Sequence, residues 1–130
     1  MTGKYETLTK YDGRALNHEA FEKTIANFFH NGERMRKECI PFILDKLRRF
    51  HAAVSAQNTF RFFSSSLLLI YDGSQDYSEE NSDMRCIDFA HTTHHASPHA
   101  NTEALDRTGP DDGYLHGVET LISIFNKLLI

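Results

Sequence analysis

The sequence predicts an α+β fold, a small antiparallel sheet with packed helices, and three patterns lead there. Residues 17–30 and 33–56 repeat apolar side chains at helical spacing, and so do residues 115–129. Between them lie two apolar runs without helical period, Leu67 to Tyr71 and Met84 to Phe89, rich in Leu, Ile and aromatic residues. A polar, acidic segment separates these runs, so they read as paired strands joined by an excursion too long for a tight hairpin. At 130 residues the chain can bury a core of its own, and a single domain over residues 1–130 is expected.

Residues 1–16 show no sustained period and are expected as an extended lead-in with a turn at Asp12-Gly13. Asn17 can cap a helix carrying Phe21, Ile25, Phe28 and Phe29 on one side, and Asn31-Gly32 should stop it. A second helical pattern runs from about Glu33 to Ala56 with Ile40, Ile43, Leu44, Leu47, Phe50 and Val54 on one face. Pro41 interrupts it, which predicts either a kink or a short helix followed by a longer one starting near Pro41. From Thr59 through Tyr71 strand is expected, ended by Asp72-Gly73, with pairing resumed at Met84. His91, His94, His95 and His99 fall in a loop-like stretch of Thr, Ser, Pro and Asn. Asp112 is the expected cap of a final helix with Leu115, Val118, Leu121, Ile122, Phe125, Leu128 and Leu129 on one broad apolar face.

The composition is 40% hydrophobic and 25% charged, as in soluble globular proteins, and no apolar run approaches the roughly 18 residues of a membrane span. No basic-then-apolar leader opens the sequence, so a reducing cytoplasm or nucleus is expected, with Cys39 and Cys86 as small buried thiols. The net charge of -4 offers no bulk attraction for nucleic acid. Locally, Arg34, Arg36, Lys37, Lys46, Arg48 and Arg49 make one basic region, a solvated face or a contact for a small polyanion. Asp76, Glu79, Glu80 and Asp83 fill the inter-strand excursion as a surface loop.

Asp88 closes the second apolar run, and Ser66 opens the first. A carboxylate at the end of one strand and a hydroxyl at the start of its neighbour can share Mg²⁺, which takes one or two carboxylates and leaves its other positions to phosphate oxygens and water. Protein kinases use such a layout around ATP, although neither a His-Arg-Asp catalytic loop nor a Gly-rich phosphate loop occurs here. A plainer reading has Asp88 capping a turn or pairing with Arg85.

Three longer motifs make the sequence more specific. Phe60-Arg61-Phe62-Phe63-Ser64-Ser65-Ser66-Leu67-Leu68-Leu69-Ile70-Tyr71-Asp72-Gly73 is followed by Met84-Arg85-Cys86-Ile87-Asp88-Phe89-Ala90-His91-Thr92 and then by Asp112-Gly113-Tyr114-Leu115-His116-Gly117-Val118-Glu119. Together with Tyr11-Asp12-Gly13-Arg14 and Phe28-Phe29-His30-Asn31-Gly32, they resemble the inositol polyphosphate kinases, most closely the inositol hexakisphosphate kinase branch, over nearly the whole chain. The resemblance implies the carboxy-terminal lobe of a protein-kinase-like, SAICAR synthase-like architecture that uses ATP and Mg²⁺ to phosphorylate an inositol polyphosphate. It implies Asp88 as metal ligand, Ser66 beside metal and phosphates, and His91 facing the substrate, with Arg34, Arg36 and Lys37 as candidate substrate contacts. The family's Pro and Asp-x-Lys-x-Gly signature and its ATP-binding lysine are absent from these 130 residues, so an incomplete lobe with little activity of its own is expected.

Two non-enzymatic alternatives follow from other residues. His91, His94, His95 and His99, with Asp106 or Asp111, could offer ligands to Zn²⁺, though without paired cysteines or fixed helical spacing. A regulatory or interaction module on the same lobe would instead expose an apolar surface.

Overall fold

The computed structural model describes residues 5–74, 76–94 and 109–130. The first element is a departure from expectation. Residues Lys10–Arg14 form a short helix, α1, because Thr9 and Asp12 cap it reciprocally. The Thr9 hydroxyl accepts from the Asp12 N–H at 3.2 Å, and the Asp12 carboxylate accepts from the Thr9 N–H at 2.8 Å. Helix α2, His18–Phe28, begins as expected, with Asn17 Oδ1 accepting from the Ala20 N–H at 2.8 Å. It ends a turn before Asn31-Gly32, and Gly32 takes the left-handed φ of 95° in the loop that follows.

Of the two outcomes foreseen at Pro41, the second holds. A 3-10 turn at Lys37–Cys39 leads into α3, Ile40–Ala56, with Pro41 in the first turn, where a missing N–H removes no helical bond. The apolar face of α3 buries Ile40, Ile43, Leu44, Leu47 and Val54. The first four join Phe29, Cys39, Met84, Val118, Ile124 and Phe125 in the core, each large side chain contributing about 1.5–3 kcal/mol by leaving water.

The sheet region consists of two two-stranded antiparallel sheets in place of the single sheet expected. Strand β1, Phe60–Phe63, pairs with β4, His91–His94, while β2, Ser66–Tyr71, pairs with β3, Ser82–Ile87. The break lies at Ser64, whose φ of 59° turns the chain between β1 and β2. Leu67, Leu69 and Tyr71 lean on the core, whereas Ser66, Leu68 and Ile70 face outward. Lys46 of α3 pairs with Asp83 of β3, fastening the hairpin to the helical layer. His91 to His94 are therefore strand rather than loop, while His95, His99 and Asp106 lie outside the described residues.

The last helix, α4, spans Asp112–Leu129 and packs on α3. Its cap is Asp111, one residue before the position expected, since Asp111 rather than Asp112 receives the Tyr114 N–H. No described helix is long and apolar enough to cross a membrane.

Candidate functional site

The two ends of the β2–β3 hairpin differ in kind. Ser66 begins β2 and stands opposite Ile87, the last residue of β3, so Asp88 follows directly at the same end. Asp88 lies one step beyond the strand rather than on it, with φ 64°. Ser64 and Asp88 are the only non-glycine residues with positive φ among the described residues, and both flank this end. Such a conformation costs on the order of 1 kcal/mol for a residue other than glycine and clusters where ligands are held. Both Asp88 and Ser66 are exposed. Among the described residues nothing donates to the Asp88 carboxylate, and Arg85 is bound to Asp83 at 2.7 Å, which removes the Asp88–Arg85 pairing.

The wall behind this end is well built. Ser65 Oγ lies within hydrogen-bond distance of Tyr114 Oη at 2.9 Å and of the Phe62 carbonyl at 3.2 Å, and Cys86 Sγ lies 3.3 Å from the same phenol. Burial, reinforced by the Cys86 thiol, pushes the Tyr114 phenol up to about 12, so it stays protonated as a donor. Buried Asp111 accepts from the Phe62 N–H at 2.9 Å in addition to capping α4, which commits the carboxylate offered above as a zinc ligand. The bond between Ser65 and Tyr114 spans 49 residues of sequence, for which no local signal exists.

His91 is exposed at the start of β4, opposite Phe63, and the His94 ring stands edge-on to Phe60 with centroids 4.9 Å apart. The basic candidates lie elsewhere. Arg36 is buried, and its guanidinium binds the Glu38 carboxylate and the Gly73 carbonyl. Arg34 grips Glu38 with both terminal nitrogens, at 2.7 and 3.0 Å, and Lys37 is exposed beside them. Gly73 is at the far end of the hairpin, beyond the strand β2 that Ser66 begins, or about 20 Å away along the chain. Arg34, Arg36 and Lys37 therefore stand toward the opposite end of the hairpin from Asp88, and Arg36 is buried with its guanidinium on Glu38 and Gly73.

Among the described residues no three His, Cys, Asp or Glu side chains converge as a metal site. A cation held here would take the Asp88 carboxylate and the Ser66 hydroxyl, oxygen donors suited to a hard ion that keeps water and phosphate ligands. The outer face of the hairpin adjoins this pair and exposes Leu68, Ile70 and Ile87, with exposed Phe89 just beyond.

Known proteins are similar to this chain in sequence and in shape. The family model for inositol polyphosphate kinase matches residues 1–126. Inositol hexakisphosphate kinase 3 of Mus musculus is 37% identical over 132 residues, covering 92% of this chain and 33% of its own length. Inositol hexakisphosphate kinase 2 of Rattus norvegicus is 33% identical over 158 residues, covering 98% and 36%. The chain thus spans about a third of the length of these relatives. The crystal structure of inositol phosphate multikinase Ipk2 from S. cerevisiae, in complex with ADP and Mn²⁺, superposes with a TM-score of 0.73 at 27% identity, covering 95% of this chain and 51% of that one.

Proposed function

Because the chain belongs to the inositol polyphosphate kinase family, we propose that the open end of its β2–β3 hairpin is the metal-and-phosphate half of a site for ATP-dependent phosphoryl transfer to an inositol polyphosphate. The observation that carries this reading is the exposed, left-handed Asp88 beside Ser66, to whose carboxylate no described residue donates. Asp88 would hold Mg²⁺ with the Ser66 hydroxyl. The bound ion would supply neutralisation of phosphate charge, which with positioning is most of what phosphoryl transfer needs. The residues of this chain do the positioning. Ser66 and Asp88 would fix where the phosphates lie, Leu68, Ile70 and Ile87 would offer an apolar platform for the nucleotide base, and exposed His91 would donate to an inositol phosphate group. The nucleotide and Mn²⁺ in the Ipk2 crystal, and the substrate in the names of the hexakisphosphate kinases, support this assignment. Two reduced thiols at Cys39 and Cys86 fit a cytoplasmic or nuclear setting.

The reading also treats residues 1–130 as one incomplete carboxy-terminal lobe, lacking the Asp-x-Lys-x-Gly signature. The test is phosphate transfer from Mg-ATP to inositol hexakisphosphate, measured for a polypeptide that joins this chain to a family amino-terminal lobe and for the chain alone. Transfer by the joined polypeptide should fall by about 10²-fold or more on Asp88→Ala, as when a major electrostatic contact of the transition state is lost. Undiminished transfer would overturn the site, and robust turnover by the chain alone would overturn the incomplete-lobe reading. A regulatory module on the same fold is the second reading, favoured by the exposed Leu68, Ile70 and Ile87; it requires that no joined polypeptide transfer phosphate.

A further inference from the structure

The Asp-Gly-Tyr segment is a motif that the proposed chemistry leaves without a role. We propose that Tyr114, with Asp111, is a positioning residue: the first turn of α4 holds the β1–β2 corner and the end of β3 so that Ser66 and Asp88 keep their places. This rests on the reading of Ser66 and Asp88 as the metal-and-phosphate pair.

Three grips connect that turn to the site. Asp111 takes the Phe62 N–H, fixing the end of β1 just before the left-handed Ser64. Tyr114 Oη receives the Ser65 hydroxyl, fixing the residue just before Ser66. The same oxygen meets Cys86 Sγ, two residues before Asp88. One phenol thus touches β3 and the residue that leads into β2, at the open end where Ser66 pairs with Ile87. Two residues held at positive φ require surroundings that over-determine them, and these grips supply that determination. The Tyr114 ring also packs against Phe50 and Phe62, at 5.8 and 5.6 Å between centroids. Replacing it by Phe keeps those contacts and removes only the hydroxyl.

The experiment uses the full chain with Tyr114→Phe, Asp88→Asn and, as a stability control on the same helix, Val118→Ala. Amide hydrogen exchange at residues 64–66 and 87–89 should quicken about fivefold in Tyr114→Phe, the factor of one net hydrogen bond, with the α3 amides unchanged. Mn²⁺ titration, followed by paramagnetic broadening of the Asp88 and Phe89 amides, should show affinity reduced several-fold by Tyr114→Phe, abolished by Asp88→Asn and unaltered by Val118→Ala. Wild-type exchange in Tyr114→Phe overturns the positioning role, as does equal loss of Mn²⁺ affinity in Val118→Ala. If Mn²⁺ broadens no amides near wild-type Asp88, the metal reading fails, and exchange at the corner still decides whether Tyr114 holds it.

Discussion

One hairpin has two ends built on opposite terms. At the Tyr71–Gly73 end, Tyr71 and the Gly73 carbonyl are gripped. Tyr71 Oη donates to the Phe28 carbonyl, its ring stacks on Phe29 at 5.6 Å, and the Gly73 carbonyl receives both Asn31 Nδ2 and the Arg36 guanidinium. At the Ser66–Asp88 end the two oxygen-bearing side chains are exposed, the backbone is left-handed at Ser64 and Asp88, and the support comes from behind through Tyr114 and Asp111. The first end commits Tyr71 and Gly73 to the fold, while at the second no described residue donates to the Asp88 carboxylate. A region whose backbone is restrained while its side chains stay unsatisfied is poised for a ligand.

The largest test of this contrast is Phe29→Ala. Phe29 is fully buried, stacked on Tyr71 and edge-on to Phe125 at 5.5 Å, so it joins the gripped end to the α3–α4 core. Its removal should lower the unfolding free energy by about 3–5 kcal/mol, read from urea titration. A loss below about 1 kcal/mol would show that the gripped end is not where stability resides.

A smaller effect is expected from pH at the same end. The Arg34 guanidinium bound to Glu38, aided by Arg36, holds the Glu38 carboxyl at about 2 instead of 4.5. A depressed value in the folded state means stability that is complete above 4.5 and is lost as pH falls through that value toward about 2. The urea midpoint of wild type should therefore exceed that of Glu38→Gln at neutral pH, and the gap should close across that acid window. A gap that stays constant into acid would remove the ionic contribution from this end.

The contrast was only half legible in the residues. Asn17, Pro41 and the apolar faces of α3 and α4 are local signals, and caps, fixed φ and the 3.6-residue period act within a turn or two of the residue that carries them. The pairing of β2 with β3 was readable because the polar excursion between two apolar runs leaves little else for them to do. Three features were less visible. The Thr9-x-x-Asp12 box is a short local pattern that the Asp12-Gly13 turn signal masked. Ser64 is of a type that carries no preference for positive φ, so the split into two sheets depends on tertiary grips at Phe62 and Ser65. Arg36 looked like a ligand contact because charge in a sequence has no direction; the structure turns it inward to Glu38 and Gly73. Asp88 was picked out by its isolation in an apolar strand, and the structure adds its left-handed backbone and the absence of a described partner.

The smallest expected effect is also the most discriminating. If Asp88 served the fold, removing its charge would cost the interactions of a carboxylate, but no described residue donates to it and it is exposed. Asparagine has the same shape and tolerates positive φ well, so Asp88→Asn should change the unfolding free energy by no more than about 0.5 kcal/mol. A β-branched residue at φ 64° meets its own backbone, and Asp88→Val should cost about 1–2 kcal/mol by urea titration. The pair separates conformation from charge: the valine variant measures what the left-handed backbone demands, and the asparagine variant measures what the carboxylate does for the fold. Near-equal losses in the two variants would mean that Asp88 is held by a partner and that the open end is not open. A loss confined to valine leaves the carboxylate without a structural task at the one end of the hairpin where Ser66 stands beside it.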